Sequence, residues 1–365
     1  MRTSITLSRY LIRQFSISLG VVSAVLLGVV ILFDAVEIMR RIPEEWFSIG
    51  RVLEFVLLKL PYTMQTLSPF IILIASMLTH IRMTRSSELI ILRSAGVSAW
   101  HFLLPNVAFA IFLGLIFLSI INPISAVMMS RFEKLEAHIL QGQTNLLAIS
   151  STGLWLRQNN GADEGRAVIH ALRVDQEKME LQDIMFLLLD EKNSFIERID
   201  APRARLESGY WRIEDAWLSR PSAVSIHKDV IEFPTKLSAQ HIQDSFASPQ
   251  TLGFWELPGF ISMLKRAGFS ALRHRLYFQE LLAMPILFAA MIYVGAAFSL
   301  HLPRQGKSGL LMSGGIITGL GFKFLNDIVH ALGLTGRMPI WFSAWSAVWI
   351  LLLLGMVFVL HREDG

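Results

Sequence analysis

The chain has 365 residues, no cysteine, 53% hydrophobic residues, 17% charged residues and a formal net charge of +4. Its mean hydropathy is +0.50. Soluble domains carry about 25% charge, so this composition excludes a single soluble domain, and it is far too apolar for a disordered chain. Without cysteine there is no disulfide framework, Cys-ligated zinc, thiol nucleophile or Cys-held iron–sulfur cluster. The small net charge gives no support to a nucleic-acid partner.

A bilayer core of about 30 Å needs roughly 20 apolar helical residues. Runs free of Asp, Glu, Lys and Arg meet that length at 14–33, 60–81, 94–130, 281–303 and 338–361. Another, 308–322, continues past Lys323 and Asp327 through 328–336. The run 94–130 is too long for one span, with Gly96 and Pro105 marking its start and Asn122-Pro123 its expected exit. This predicts six membrane helices in two sets of three. The first is not a cleaved signal peptide, because its apolar stretch is too long and no small-residue cleavage site follows.

Between the two sets charge returns and apolar runs shorten. Trp155–Arg157, Ala167–Arg173 and Trp211–Asp215 fit short strands. Turn signals separate them at Asn159-Asn160-Gly161, Glu191-Lys192-Asn193, Glu207-Ser208-Gly209 and Arg220-Pro221-Ser222. That spacing predicts an inserted all-β sandwich or roll. The expected organisation is 1–130 for the first three spans, 131–250 for the β domain and 251–365 for a connector and the last three spans. An amphipathic stretch from Phe260 to Ala267 is expected at the membrane surface.

Short-loop cations set orientation. Nine lie on the N-terminal side: Arg2, Arg9, Arg13, Arg82, Arg85, Arg93, Arg304, Lys307 and Arg362. Four lie opposite, Arg40, Arg41, Arg51 and Arg337, with Lys59 making five. Both termini are therefore expected in the cytoplasm and the β domain in the periplasm.

Few motifs carry chemistry. Gly306-Lys307-Ser308 looks like the end of a phosphate-binding loop, but the required first glycine is His301 and the context is a short inter-span loop. No catalytic residue and no metal site is expected; His80, His101, His301 and His330 are scattered near span ends. Energy for any work would come from a partner.

The loop after the second span places Ser86 or Ser87 as a helix cap, Glu88 in the first turn and Gly96 as the stop. A short helix over about 84–95 follows. Its consecutive Leu89, Ile90, Ile91 and Leu92 cannot all be buried against so small a loop. It either lies on lipid or docks a partner, with Ser87, Leu89 and Leu92 in the contact and Glu88 and Arg93 as polar partners.

Lys323 and Asp327 lie at i, i+4 on one helix face. They read as a local ion pair, a lumen lining or a proton relay. Gly315 and Gly319 upstream favour close helix contact, within or between subunits. Arg40, Arg41 and Lys59 at the outer ends of the first two spans form a snorkelling belt or meet anionic groups of an amphiphile.

Several segments together resemble the lipopolysaccharide export permease family, the paired LptF and LptG subunits. Leu7–Arg13 resembles the family's amphipathic lead-in, Leu32–Glu37 the outer end of its first span, and Ser87–Gly96 its coupling-helix motif, with Glu88 at the acidic position. Gly153–Trp155 and Tyr210–Arg212 look like its β-domain landmarks. The region around Leu325–Asp327 and the tail His361–Gly365 is closer to the LptG branch. Where some members carry a lysine one turn before the acidic residue, this chain has Ile31.

The resemblance implies a membrane α-helical fold with a periplasmic β-jellyroll-like domain. It implies the permease subunit of an ABC-type transporter that extracts lipopolysaccharide from the inner membrane and passes it to a bridge of β domains. The implied partners are an LptF-like permease, an LptB-like ATPase dimer and an LptC-like single-span protein, with ATP used by the ATPase. A lipoprotein-releasing or other amphiphile-export permease, a receptor-like membrane protein with a periplasmic sensing domain, and a membrane enzyme built on Lys323 and Asp327 are the competing readings.

Overall fold

The computed structural model describes residues 5–43, 47–137, 139, 147–150, 153–159, 166–175, 180–190, 194–207, 209–221, 223–235, 248–266, 270–299 and 308–363. These form two compact units, Met1–Leu140 with Gln250–Trp255 and Arg275–Gly365, and Gln141–Pro249 with Glu256–His274.

The first unit is helical. α1 spans Ile5–Arg41, α2 Ile49–Arg85, α3 Glu88–Ser94, α4 Ala99–Ile116 and α5 Asn122–Glu136. α4 and α5 are joined by a π-helical turn at Phe117–Ile121. Among the described residues, five helices are long and apolar enough to cross a membrane: α1, α2, the continuous run Ala99–Glu136, Leu272–Ser299 and Ile340–His361. In a bilayer each backbone polar group must be satisfied inside the protein, which is why such segments are helical.

The helices run past the charge-free windows. Asn122-Pro123 does not end the third: the helix continues to Glu136. Proline removes one N–H and strands the carbonyl four residues earlier. Here the carbonyl four residues before Pro123, that of Ser119, accepts from Trp255 Nε1 at 3.2 Å. Together with the π turn this carries the helix through the proline. At Pro69 inside α2 the carbonyl four residues earlier, that of Gln65, accepts from Ser68 Oγ at 2.7 Å.

α2 and the helix Leu272–Ser299 are the inner ones, each with 67% of its apolar window buried, against 11% for α1. Close approach to α2 is made at glycines of later helices. A Cβ on Gly295 would lie 2.7 Å from Ser76 Oγ, one on Gly315 2.5 Å from Met77, and one on Gly319 2.7 Å from Leu73. Gly295 lies in α7 (Leu272–Ser299), and Gly315 and Gly319 in α8 (Ser308–Leu334). The small-residue spacing on α8 thus serves a contact within this chain. The last helix, α9 (Ile340–Glu363), meets α8 where Gly333 faces Ser343.

The second unit holds a seven-stranded antiparallel sheet whose order follows the chain, β1 to β7. Its strands are β1 (Leu147–Ser150), β2 (Gly153–Asn159), β3 (Arg166–Asp175), β4 (Glu180–Leu189), β5 (Phe195–Glu207), β6 (Tyr210–Ser219) and β7 (Ile226–Pro234). All three sequence-predicted strands lie inside β2, β3 and β6. Alternation gives one apolar face, with Leu154, Ile169, Phe186, Ile199, Trp211 and Ile213 buried together. Gly209 takes φ +91° in the β5–β6 turn, a conformation glycine adopts without steric cost.

α6 (Leu257–Arg266) corrects one expectation. Its apolar side does not wait for lipid: Leu264 is fully buried in the sheet's cluster, with Phe260 and Ile261 packed against it. The sheet's apolar face needs a cover, and this helix supplies part of it.

Adding a side chain at Gly319 forces Leu73 to move. We expect Gly319→Val to destabilise the helical unit by about 1–3 kcal/mol, read as a lower melting temperature in detergent. Gly321→Val, with open space around its Cβ, should leave that temperature nearly unchanged.

Candidate functional site

α3 is a seven-residue helix closed by Gly96 at φ +79°. The Gly96 N–H donates to the Arg93 carbonyl at 2.9 Å and the Val97 N–H to the Leu92 carbonyl at 3.1 Å. This is the paired bonding of a Schellman stop. The N-terminal side departs from expectation. Ser87 sits at φ 61° and makes no side-chain cap. Ser86 turns back instead: its Oγ donates to the Arg82 carbonyl at 3.1 Å and contacts Glu88 Oε1 at 2.8 Å.

The four consecutive apolar residues divide between two faces. Leu89 is 3% exposed and belongs to the same buried cluster as Leu11 and Phe15 of α1 and Phe102 and Leu103 of α4. Leu92 packs against that cluster. Ile90 and Ile91 are 54% and 64% exposed, and Arg93 is exposed beside them. Leu89 and Leu92 therefore anchor the helix, and Ile90, Ile91 and Arg93 form its outward face. Glu88 joins neither set. Tyr10 of α1 donates its hydroxyl hydrogen to Glu88 Oε2 at 2.8 Å, and Gln14 Nε2 donates to the Tyr10 hydroxyl at 3.2 Å. Tyr10 had no signal in the sequence, since 78 positions separate it from Glu88.

The opposite end of α1 carries the second polar group. Lys59 Nζ lies 2.7 Å from Asp34 Oδ1, with side chains only 29% and 13% exposed. Arg41 bridges Glu37 at 3.1 Å and Glu136 of α5 at 3.2 Å. Beneath them Ile38, Ile42, Phe55 and Phe132 form a small apolar cluster. A narrow cleft opens here between Arg41, Lys59, Glu37 and Glu136. Of the three cations expected to meet anions, Lys59 and Arg41 already hold carboxylates. Arg40 is exposed and, among the described residues, has no ion-pair partner.

Lys323 and Asp327 form an ion pair on one face of α8, each about half exposed. Other polar contacts of the C-terminal helices were not suggested by sequence spacing. His330 Nδ1 lies 2.5 Å from Glu280 Oε1, linking α8 to α7, and Trp345 Nε1 donates to Gln279 Oε1 at 3.0 Å, linking α9 to α7. Further along, Asn122 Nδ2 donates to Gln65 Oε1 at 3.3 Å and to the Tyr277 hydroxyl at 3.1 Å, while its Oδ1 accepts from the Phe254 N–H at 2.8 Å. The residue read as a helix exit is thus a buried junction of α2, α5 and α7. Gly306 and Lys307 lie outside the described residues. Among the described residues no three of His, Asp and Glu converge as metal ligands.

Residues 9–362 match the family described as lipopolysaccharide export system permease LptF/LptG. The chain is also similar to the lipopolysaccharide export system permease protein LptG of Haemophilus influenzae, 24% identical over 349 residues, 93% of this chain and 94% of that protein. The chain belongs to the LptF/LptG family. It is a lipopolysaccharide export permease subunit and a multi-pass protein of the inner membrane.

Asp34 and Lys59 are mostly buried, so removing one strands the other. Lys59→Met should destabilise the protein by about 1–3 kcal/mol, and adding Asp34→Asn to it should restore part of the loss. Thermal unfolding of both variants in detergent checks this.

Proposed function

We propose that this chain is the LptG-type half of a paired permease, working with an LptF-like subunit, an LptB-like ATPase dimer and an LptC-like single-span protein. Six spans in a 3+3 arrangement would be completed by α8, whose 27 residues are interrupted only by the Lys323–Asp327 pair. The helical unit, Met1–Leu140 with Gln250–Trp255 and Arg275–Gly365, would form the membrane part, and the unit of the sheet, Gln141–Pro249 with Glu256–His274, a periplasmic domain rolled in jellyroll fashion. The excess of Lys and Arg on the N-terminal side supports cytoplasmic termini.

The observation that carries the reading is the split face of α3, in a chain matched to the permease family from residue 9 to 362. A seven-residue helix that leaves two isoleucines and an arginine outward, while burying the leucines beside them, has the makings of a docking knob. Arg93 adds a charge for a carboxylate on the partner. ATP would then be bound and hydrolysed by the docked ATPase, and this chain would need no nucleotide site or cofactor of its own.

The cargo explains the rest. Moving an acyl chain from lipid into water costs about 0.8 kcal/mol per CH₂, so it must travel along apolar surface. The mostly exposed α1 offers such a surface in the membrane; the apolar face of the sheet, where Ile169 and Phe186 are buried, would have to open to offer another. Arg40, which has no ion-pair partner among the described residues, suits a phosphate of the head group. Arg41 and Lys59, occupied by Glu37, Glu136 and Asp34, would contribute after exchanging partners. Lys323 and Asp327 satisfy each other, which fits a structural pair better than a relay.

A mild-detergent purification of the tagged chain from its own membranes tests the whole. It should retain an ATPase, a second permease subunit and lipopolysaccharide; a chain recovered alone from well-extracted membranes overturns the reading. For the docking face, Ile91→Asp with Arg93→Glu should cut ATPase retention by roughly tenfold or more. Insertion, followed by membrane fractionation, should stay normal.

A further inference from the structure

The sheet has a second face, opposite its buried cluster, that the permease reading leaves unused. The strand register aligns Trp155, His170, Met185, Asp200, Trp217 and His227 as successive cross-strand neighbours from β2 to β7. Adjacent side chains on a strand point to opposite faces. The residues flanking this row, among them Ile169, Ile184, Phe186 and Ile199, lie in the buried cluster. The row itself therefore stands on the outer face.

Part of the row encloses a cup of about 480 Å³, lined by His170, Asp183, Met185, Arg198, Asp200 and Trp217 among others. Met185 and Asp200, paired across β4 and β5, form its floor. Asp183 and Arg198 stand two positions along the same strands. His170 on β3 and Trp217 on β6 are the walls, three strand spacings or roughly 14 Å apart at the backbone.

Both walls are held. The Trp155 and His170 ring centroids lie 4.2 Å apart. The Trp217 ring lies 4.9 Å from that of His227, whose Nε2 is 2.5 Å from Asp215 Oδ1. On the floor, Arg198 grips Asp200 through Nη2 at 2.7 Å and Nε at 2.6 Å. Each carboxylate oxygen keeps a lone pair for another donor. Trp217 stays 52% exposed, an aromatic surface facing water beside these acceptors.

The lining carries one arginine against two aspartates, and the arginine is already paired, so the cup disfavours phosphate and other anions. A saccharide ring offers hydroxyls for the carboxylates to accept and a C–H face to lie on a Trp ring. Size points the same way. Small-ligand sites hold about 300–1,000 Å³. A stable protein interface takes roughly 20–30 residues a side, and nine line the cup.

We propose that this cup on the outer face of the sheet is a binding site for a neutral saccharide. Trp217 supplies the stacking surface, and Asp183 and Asp200 accept from hydroxyls. His227 is a positioning residue that steadies Trp217. The sugar has two possible sources, the glycan of the lipopolysaccharide cargo or a separate glycan of N-acetylhexosamine units outside the membrane. Only that choice of sources rests on reading the sheet unit as periplasmic.

The full chain in detergent tests the site, titrated with chitotetraose and separately with core oligosaccharide stripped of lipid and phosphate. Saturation-transfer NMR on the sugar protons reads binding. At least one sugar should bind at about 1 mM or tighter, and tri-lysine should not displace it. Trp217→Ala and Asp200→Asn should each weaken binding about tenfold or more, with the melting temperature unchanged. Trp217→Phe keeps a ring and should lose about threefold or less. His227→Ala should weaken binding severalfold, and His227→Phe, which keeps a ring against Trp217, should restore it.

Binding of chitotetraose alone identifies the separate glycan, binding of core oligosaccharide alone the cargo, and binding of both a general sugar site. Each supports the proposal. No binding of either sugar by the intact chain overturns it. So does binding that Trp217→Ala and Asp200→Asn leave unchanged, or displacement by tri-lysine, which would make the cup a site for a cationic peptide. If no sugar binds and Trp217→Ala loses a co-purifying protein, the face is a protein interface instead. Sugar binding by the purified chain needs neither ATPase nor export, so its failure leaves the permease reading standing.

Discussion

Leu73 and Met77 of α2 occupy the space that side chains on Gly319 and Gly315 would need. In a bilayer, burying apolar residues against one another gains little over burying them in lipid, so close contact and polar contacts have to hold the helices. α2 makes that possible for the C-terminal helices, with α7 approaching it at Gly295 and α8 at Gly315 and Gly319. α7 is fixed from other sides as well: Gly114 of α4 leaves no room for a Cβ beside Pro285, and Gly355 of α9 none beside Tyr293. The result is a tightly joined set of helices, while α1 packs along α2 on one side and leaves most of its apolar surface outward.

Polar side chains follow the same logic. An unpaired charge or amide in hydrocarbon costs several kcal/mol. Accordingly Lys59 is paired with Asp34, Lys323 with Asp327 and His330 with Glu280, and Asn122 ties together Gln65, Tyr277 and the Phe254 backbone. Each pair bonds two helices or two turns of one helix. Among the described residues Lys59 and Arg41 at this end of the helices already hold carboxylates, and Arg40 has no ion-pair partner.

How much of this was legible depends on whether a feature is local. Charge-free length alone located the five apolar helices and the segment of α8, because a bilayer imposes a length on sequence directly. The strands around Trp155, Ile169 and Ile213 were visible from alternation and turns. The end of α3 at Gly96 was visible too, since one glycine fixes it. Features made by partners distant in the chain were not. Lys59 stands at a span end in the sequence, but nothing local joins it to Asp34, 25 residues away. The spacing of Gly315 and Gly319 announced a close contact without naming α2. Asn122-Pro123 read as a break because the donor that repairs the Ser119 carbonyl, Trp255, lies 136 residues away. α6 looked interfacial because its apolar side is complete. Only the sheet's buried cluster shows what covers it.

α3 shows the limit most clearly. Its pattern was right, but four apolar residues in a row carry no information about which two turn inward. The backbone decides that: a seven-residue helix fixed at Gly96 by two reverse hydrogen bonds has one orientation relative to α2 and α4, and it puts Leu89 and Leu92 inside. Glu88 then falls on the edge between the faces, within reach of Tyr10. A charged residue on such an edge has two possible uses, to attract a partner or to hold the helix to its own chain. With both oxygens engaged internally, a partner's donor would have to replace an existing bond and gain only the difference.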